Sequence, residues 1–128
     1  MASPGEHSDH IFDVDTERFQ REVIQASEAG PVLVDFWADW CAPCHALAPH
    51  LGRVVADLGG RVRLAKIEVD EGDNMKLAGR YQLRGFPTVI LFHDGQELGR
   101  FSGARSRHQI LDWLRTHLPD GLVGSAVS

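Results

Sequence analysis

The amino-acid sequence predicts an α/β domain with a mixed sheet, part parallel and part antiparallel, and helices on both faces. Three observations carry this expectation. Short apolar runs alternate with helix-periodic segments up to residue 81; Asp94-Gly95 then joins two strand-like runs; one more helix-periodic segment follows. The order reads β-α-β-α-β-α-β-β-α, five strands and four helices, with the opening strand ahead of the first helix. At 128 residues the chain fits one domain with a sizeable core. The expected limits are 11–118, with a flexible segment over 1–10 and a flexible, small, Gly-containing tail over 119–128.

The elements follow in order. Asp15 or Thr16 caps a helix over Thr16 to Glu28, whose apolar stripe is Phe19, Val23 and Ile24, and Gly30-Pro31 ends it. Val32 to Ala38 is short and almost wholly apolar, as a strand covered on both faces should be, and is the candidate central strand. From Ala42 to Leu58 the spacing of Leu47, Leu51, Val54, Val55 and Leu58 is helical, with Pro49 inside and Gly59-Gly60 as the stop. Arg61 to Val69 alternates as a strand, with Ala65, Ile67 and Val69 on one face and Leu64 and Lys66 on the other. A short helix is expected over Asp73 to Tyr81. Thr88 to His93 and Gln96 to Ser102 flank the Asp94-Gly95 turn as an antiparallel hairpin. Ser106 and Gln109 form a capping box for the last helix, which packs through Ile110, Leu111, Leu114 and Leu118.

Composition narrows the function. Apolar residues make up 43% and charged residues 24%, the profile of an ordinary globular chain. A net charge of −5 without any Lys/Arg cluster argues against a nucleic-acid partner. No apolar run approaches the ~20 residues that cross a bilayer, so no membrane association is expected. Met1 to His10 has neither the basic start nor the apolar stretch of a signal peptide, which gives a cytoplasmic expectation. In a reducing compartment two cysteines so close together make a poor structural staple, because bridging them constrains almost no loop entropy. Their purpose is expected to be chemical.

Trp40-Cys41-Ala42-Pro43-Cys44 falls where the central strand passes into the long helix, which puts Cys41 at a helix N-terminus. A free thiol has a pKa of ~8.5, so a nucleophilic thiolate needs stabilisation. The helix dipole offers about 0.3–1 kcal/mol, and backbone N–H groups and the second thiol must supply the rest. Cys41 is therefore expected to attack, and Cys44, one turn further in, to resolve the mixed disulfide. His45, also one turn from Cys41, is placed to act on its charge. A zinc site would need four ligands and would have to recruit His45 and His50, since there is no second cysteine pair. Cys41-Ala42-Pro43-Cys44-His45 also has the spacing of c-type haem attachment, but that chemistry follows export, and the βαβ setting favours redox exchange. Neither a metal nor another cofactor is expected. Asp35 interrupts the apolar strand; it is either a strand-end acid touching solvent or a buried acid whose pKa rises toward neutrality, able to carry the Cys44 proton. Lys66, one of two lysines, either pairs with Asp35 or marks a solvated strand face.

Val34-Asp35-Phe36-Trp37-Ala38, Trp40-Cys41-x-Pro43-Cys44, Ala48-Pro49, Gly85-Phe86-Pro87-Thr88 and Asp94-Gly95 together resemble the thioredoxin family, over roughly Ile11 to Leu118. The resemblance implies a thioredoxin fold, a five-stranded mixed sheet flanked by four helices, and reduction of disulfides in cytoplasmic proteins. It implies Cys41, Cys44, Asp35 and Pro87 as catalytic residues, with a cis bond before Pro87. Trp40, Ala42, Pro43, Gly85, Phe86 and Gly103 would meet substrate, Gly85 and Phe86 through their backbone; Trp37 and Lys66 would support. Trp37 and Trp40 are equally open to a plain core reading. The partners implied are disulfide-bearing proteins and an NADPH-dependent reductase, for a monomer without its own cofactor. Alternatives on the same residues are a disulfide oxidase or isomerase, and a holdase that binds without catalysis. Ala42, His45 and Phe86 stand where the family usually has Gly, Lys and Ile, which bears on redox potential and partner choice.

Overall fold

The computed structural model describes residues 10–119; the expected flexible segments lie, apart from His10 and Pro119, outside the described residues. Five strands form one sheet in the order β1-β3-β2-β4-β5. They are β1 (Ile11–Asp13), β2 (Val32–Trp37), β3 (Arg63–Glu68), β4 (Thr88–His93) and β5 (Gln96–Ser102). β1 and β2 run parallel to β3, whereas β4 runs antiparallel to both β2 and β5. The parallel pairs require crossovers, which the helices supply, and only the β4–β5 pair is joined by a tight turn. At that turn Asp94 and Gly95 take φ of 53° and 77°, the left-handed pair that a two-residue hairpin needs.

The first helix departs from the uniform segment expected over 16–28. A single α turn, α1 (Thr16–Phe19), widens into a π-helix over Gln20–Gln25 and tightens to a 3₁₀ turn over Ala26–Glu28. Its cap is Asp15, whose side chain accepts from the Arg18 N–H at 3.0 Å. Phe19 and Val23 are buried all the same, with Ile24 packed beside them, so the apolar stripe holds although the backbone pitch changes. β3 is shorter than the alternation suggested, because the chain is still leaving α2 at Arg61, whose N–H bonds the Leu58 carbonyl. The α3 helix (Asn74–Arg80) begins and ends one residue inside its expected span.

The long helix α2 (Ala42–Leu58) runs through Pro49 and stops at Gly59, which takes φ of 58° and returns its N–H to the carbonyls of Val55 and Ala56. The last helix, α4 (Arg107–His117), starts on the reciprocal Ser106/Gln109 capping box. Two apolar layers result. Leu33, Leu64, Val89, Leu91 and Phe101 pack under α2 and α4, while Val34, Phe36, Ala65, Ile67, Ile90 and Phe92 pack under α1 and α3. Strand alternation therefore sends Asp35 to the α2 side, between Lys66 on β3 and Val89 on β4.

Candidate redox site

Cys41 is the N-cap of α2 and Cys44 lies one turn in; the two are joined as a disulfide with Cα atoms 5.3 Å apart. The strand-to-helix junction makes this geometry. β2 ends at Trp37, the Cys41 N–H turns back to the Ala38 carbonyl at 3.1 Å, and Cys41 is left extended just before the first helical N–H groups. The Cys44 N–H points at Cys41 Sγ, 3.2 Å away. That N–H is shared with the Cys41 carbonyl, 3.1 Å away, and in the reduced state it is a ready partner for a thiolate on Cys41. In the disulfide both residues are buried, Cys41 4% and Cys44 2% exposed. Their environments differ in what stabilises charge more than in how much surface each presents. Ala42 and Pro43 between them are exposed.

Asp35 is 1% exposed in the middle of β2, so it is no strand-end acid. Its Oδ1 has no hydrogen-bond partner among the described residues. Burial pushes its pKa up from 3.8 to about 7, and the Lys66 ammonium offsets only part of that. Lys66 extends from the register position beside Asp35, with its Nζ over the Trp37 ring at 5.3 Å from the centroid. Asp35, Lys66, Trp37 and Cys44 all line one groove of about 1260 Å³ between α2 and the β1–β3 side of the sheet. A proton on Asp35 thus shares a cavity with the inner cysteine.

A second segment leads into the start of β4. The Phe86–Pro87 bond is cis, and Pro87 is buried while Gly85 is exposed. The Thr88 hydroxyl donates to the Gly85 carbonyl at 2.7 Å, and the Gly103 N–H donates to the Pro87 carbonyl at 3.0 Å. Gly103 makes its bond at φ of 86°, a conformation open to glycine at little cost. Phe86 is half-buried and meets the Trp40 ring edge-on, centroids 6.2 Å apart. Trp40 is 67% exposed, and its indole N–H donates to Asp70 Oδ2 at 2.7 Å. Trp40 is thus a surface residue, whereas Trp37 is half-buried with its Nε1 enclosed.

Three groups at this end of the sheet, Asp70, Asn74 and Glu68, left no mark in the sequence pattern. Asp70 anchors Trp40 from 30 residues away. Asn74, 4% exposed, ties α1 to β3 by accepting from the Thr16 N–H and hydroxyl and donating to the Glu68 carbonyl. Glu68 is shifted upward, chiefly by its hydrogen bond to Glu71, then by burial and by the charges of Glu71, Asp39 and Asp70. His45 turns its ring toward the Asp39 carbonyl, Nε2 to O 2.7 Å, and rests edge-on against Trp37. Among the described residues no group of three or more His, Cys, Asp or Glu is arranged to hold a metal ion, and no helix is long and apolar enough to cross a membrane.

The thioredoxin family model matches residues 10–116, which takes in every strand and helix described above except the last residue of α4. Thioredoxin of Pseudomonas aeruginosa is 39% identical over 111 residues, 87% of this chain and 99% of the relative. Thioredoxin of Acidithiobacillus ferridurans matches to the same identity and extent. That of Rhodospirillum rubrum is 40% identical over 96 residues, 75% of this chain and 88% of the relative. Identity at this level across nearly the whole of two relatives, together with the vicinal cysteine pair at the head of α2, makes the chain a thiol–disulfide oxidoreductase and a member of the thioredoxin family.

Proposed function

We propose that the chain is a cytoplasmic dithiol reductase of protein disulfides, in which Cys41 attacks, Cys44 resolves and Asp35 takes the Cys44 proton. In the first step the Cys41 thiolate displaces one sulfur of a substrate disulfide, which leaves as a thiolate while a mixed disulfide forms on Cys41. The Cys44 N–H at Cys41 Sγ supports this choice of nucleophile. In the second step Cys44 gives its proton to Asp35, attacks Cys41 Sγ, closes the Cys41–Cys44 bridge and expels the second substrate thiolate. The observation that carries the reading is Asp35 itself: a buried carboxyl whose Oδ1 has no hydrogen-bond partner among the described residues, with a pKa raised to about 7, lining the groove that also reaches Cys44.

Substrate would lie as an extended segment against Gly85 and Phe86, with Pro87 beside the sulfurs and Trp40, Ala42, Pro43 and Gly103 framing it. Backbone pairing ignores side-chain identity, which suits many protein substrates. Trp37 and Lys66 support from behind, Lys66 by favouring the ionised form of Asp35. The oxidised pair is returned to the dithiol by an NADPH-dependent reductase, and the chain acts as a monomer. Rapid-mixing kinetics on Asp35→Asn tests the assignment. The variant should form the mixed disulfide at the normal rate and release product about 100-fold more slowly near neutral pH, the low end of what a positioned base contributes. An unchanged lifetime with a slower first attack would move Asp35 to Cys41; no change in either step would leave it a structural acid.

A further inference from the structure

We infer that His45 is a positioning residue for Cys41, a latch that closes the strand-to-helix loop and sets the redox equilibrium of the cysteine pair. Its ring reaches back six residues to the Asp39 carbonyl at 2.7 Å, across the segment that contains both cysteines. A carbonyl oxygen can only accept, so Nε2 carries the proton. The neutral Nε2–H tautomer and the imidazolium both present that donor, and the latch holds in either charge state. It is not a pH switch.

The loop it closes is also held by the Cys41 N–H to the Ala38 carbonyl, the Cys44 N–H to the Cys41 carbonyl and the Trp40 indole to Asp70. His45 adds the tie between the loop and the first turn of α2, and its own N–H already bonds the Cys41 carbonyl at 3.3 Å. The ring is steadied against Trp37, centroids 6.0 Å apart at 77°. Both ends of Cys41 are thus pinned with respect to the Cys44 N–H that faces its sulfur.

The latch counts differently in the two redox states. In the disulfide the covalent bond itself holds Cys41 to the helix, and losing one hydrogen bond shifts the sulfur little. In the dithiol that bond is gone, and the latch adds to the backbone bonds of Cys41 in keeping it in line with the Cys44 N–H that stabilises its thiolate. His45 therefore stabilises the reduced form over the oxidised one. Removing it should raise the Cys41 pKa and make the pair more readily oxidised.

His45 is exposed, so variants there fold without burying or baring core. His45→Gln keeps a donor the same number of bonds from the backbone; His45→Leu keeps bulk and removes the donor. The full chain is equilibrated with reduced and oxidised glutathione, and Cys41 is titrated by thiolate absorbance. His45→Leu should shift the equilibrium toward the protein disulfide about threefold to tenfold, the worth of a weakened hydrogen bond from the Cys44 N–H to the thiolate, and His45→Gln should stay within about twofold of the unaltered protein. An unchanged His45→Leu equilibrium, or equal shifts in both variants, overturns the latch. Imidazole nitrogen chemical shifts of the unaltered protein give a second reading, and a proton on Nδ1 alone overturns it too. The inference rests on Cys41 being the thiolate sulfur, which alkylation of the unaltered protein tests separately.

Discussion

Asp35→Asn should stabilise the protein, and the gain should appear only as pH rises. In the native state burial raises the Asp35 pKa to about 7, whereas the unfolded chain returns it to its ordinary 3.8. Between those values the native state keeps a proton that the unfolded state has lost, so stability falls as pH climbs from about 4 to about 7, then levels off. The two proton affinities differ by roughly a thousandfold, and each tenfold is worth about 1.4 kcal/mol, so the acid costs about 4 kcal/mol at most above pH 7. Asn fills the same volume and never ionises. At pH values below about 4 both side chains are neutral and the variants should be nearly equal in stability. Urea unfolding of the oxidised proteins across this range measures the effect. With m of about 1–2 kcal/mol/M, a midpoint difference of about 2–4 M should open between acid and neutral pH. A stability difference that stays constant over that range would show that Asp35 does not titrate there, and its part as a proton acceptor would fall with it.

The remaining predictions concern the two cysteines and one buried amide. Iodoacetamide at neutral pH should label Cys41 of the reduced protein well before Cys44, read by peptide mass mapping; equal labelling, or Cys44 first, would reverse the assignment of nucleophile. Asn74→Ala removes three hydrogen bonds that join α1 to the end of β3 and leaves the Thr16 N–H and Glu68 carbonyl without that partner. A loss of about 2–3 kcal/mol in chemical unfolding is expected, and a loss under about 0.5 kcal/mol would show that water replaces the amide freely.

Much of the architecture is local and was therefore legible in the chain. Asp94-Gly95 sets its own hairpin, because φ above zero at both positions depends on those two residues. Ser106 and Gln109 cap α4 reciprocally within one turn, and Gly59 ends α2 by its own left-handed φ. Strand alternation likewise put Asp35 opposite Val34 and Phe36, and Lys66 opposite Ala65 and Ile67. The cysteine pair is local in the same sense, since three residues at a helix start bring both sulfurs to one face.

What the tertiary structure alone decided is which distant groups meet. No pattern in the chain says that Asp35 is 1% exposed with an unpartnered oxygen, since that depends on α2 lying over β2 and β3. Trp40 belongs to the surface because Asp70, at the end of a neighbouring strand, holds its indole. The 3.6-residue rule put His45 one turn from Cys41 and suggested an action on its charge; that its ring meets the Asp39 carbonyl came only from packing. α1 kept its apolar stripe and changed its pitch. Periodicity determines which face of an element is buried, because that depends on neighbours within a turn or two. Burial depth, pKa and side-chain partners depend on contacts across the sheet, and these exist only once the crossovers have set the strand order.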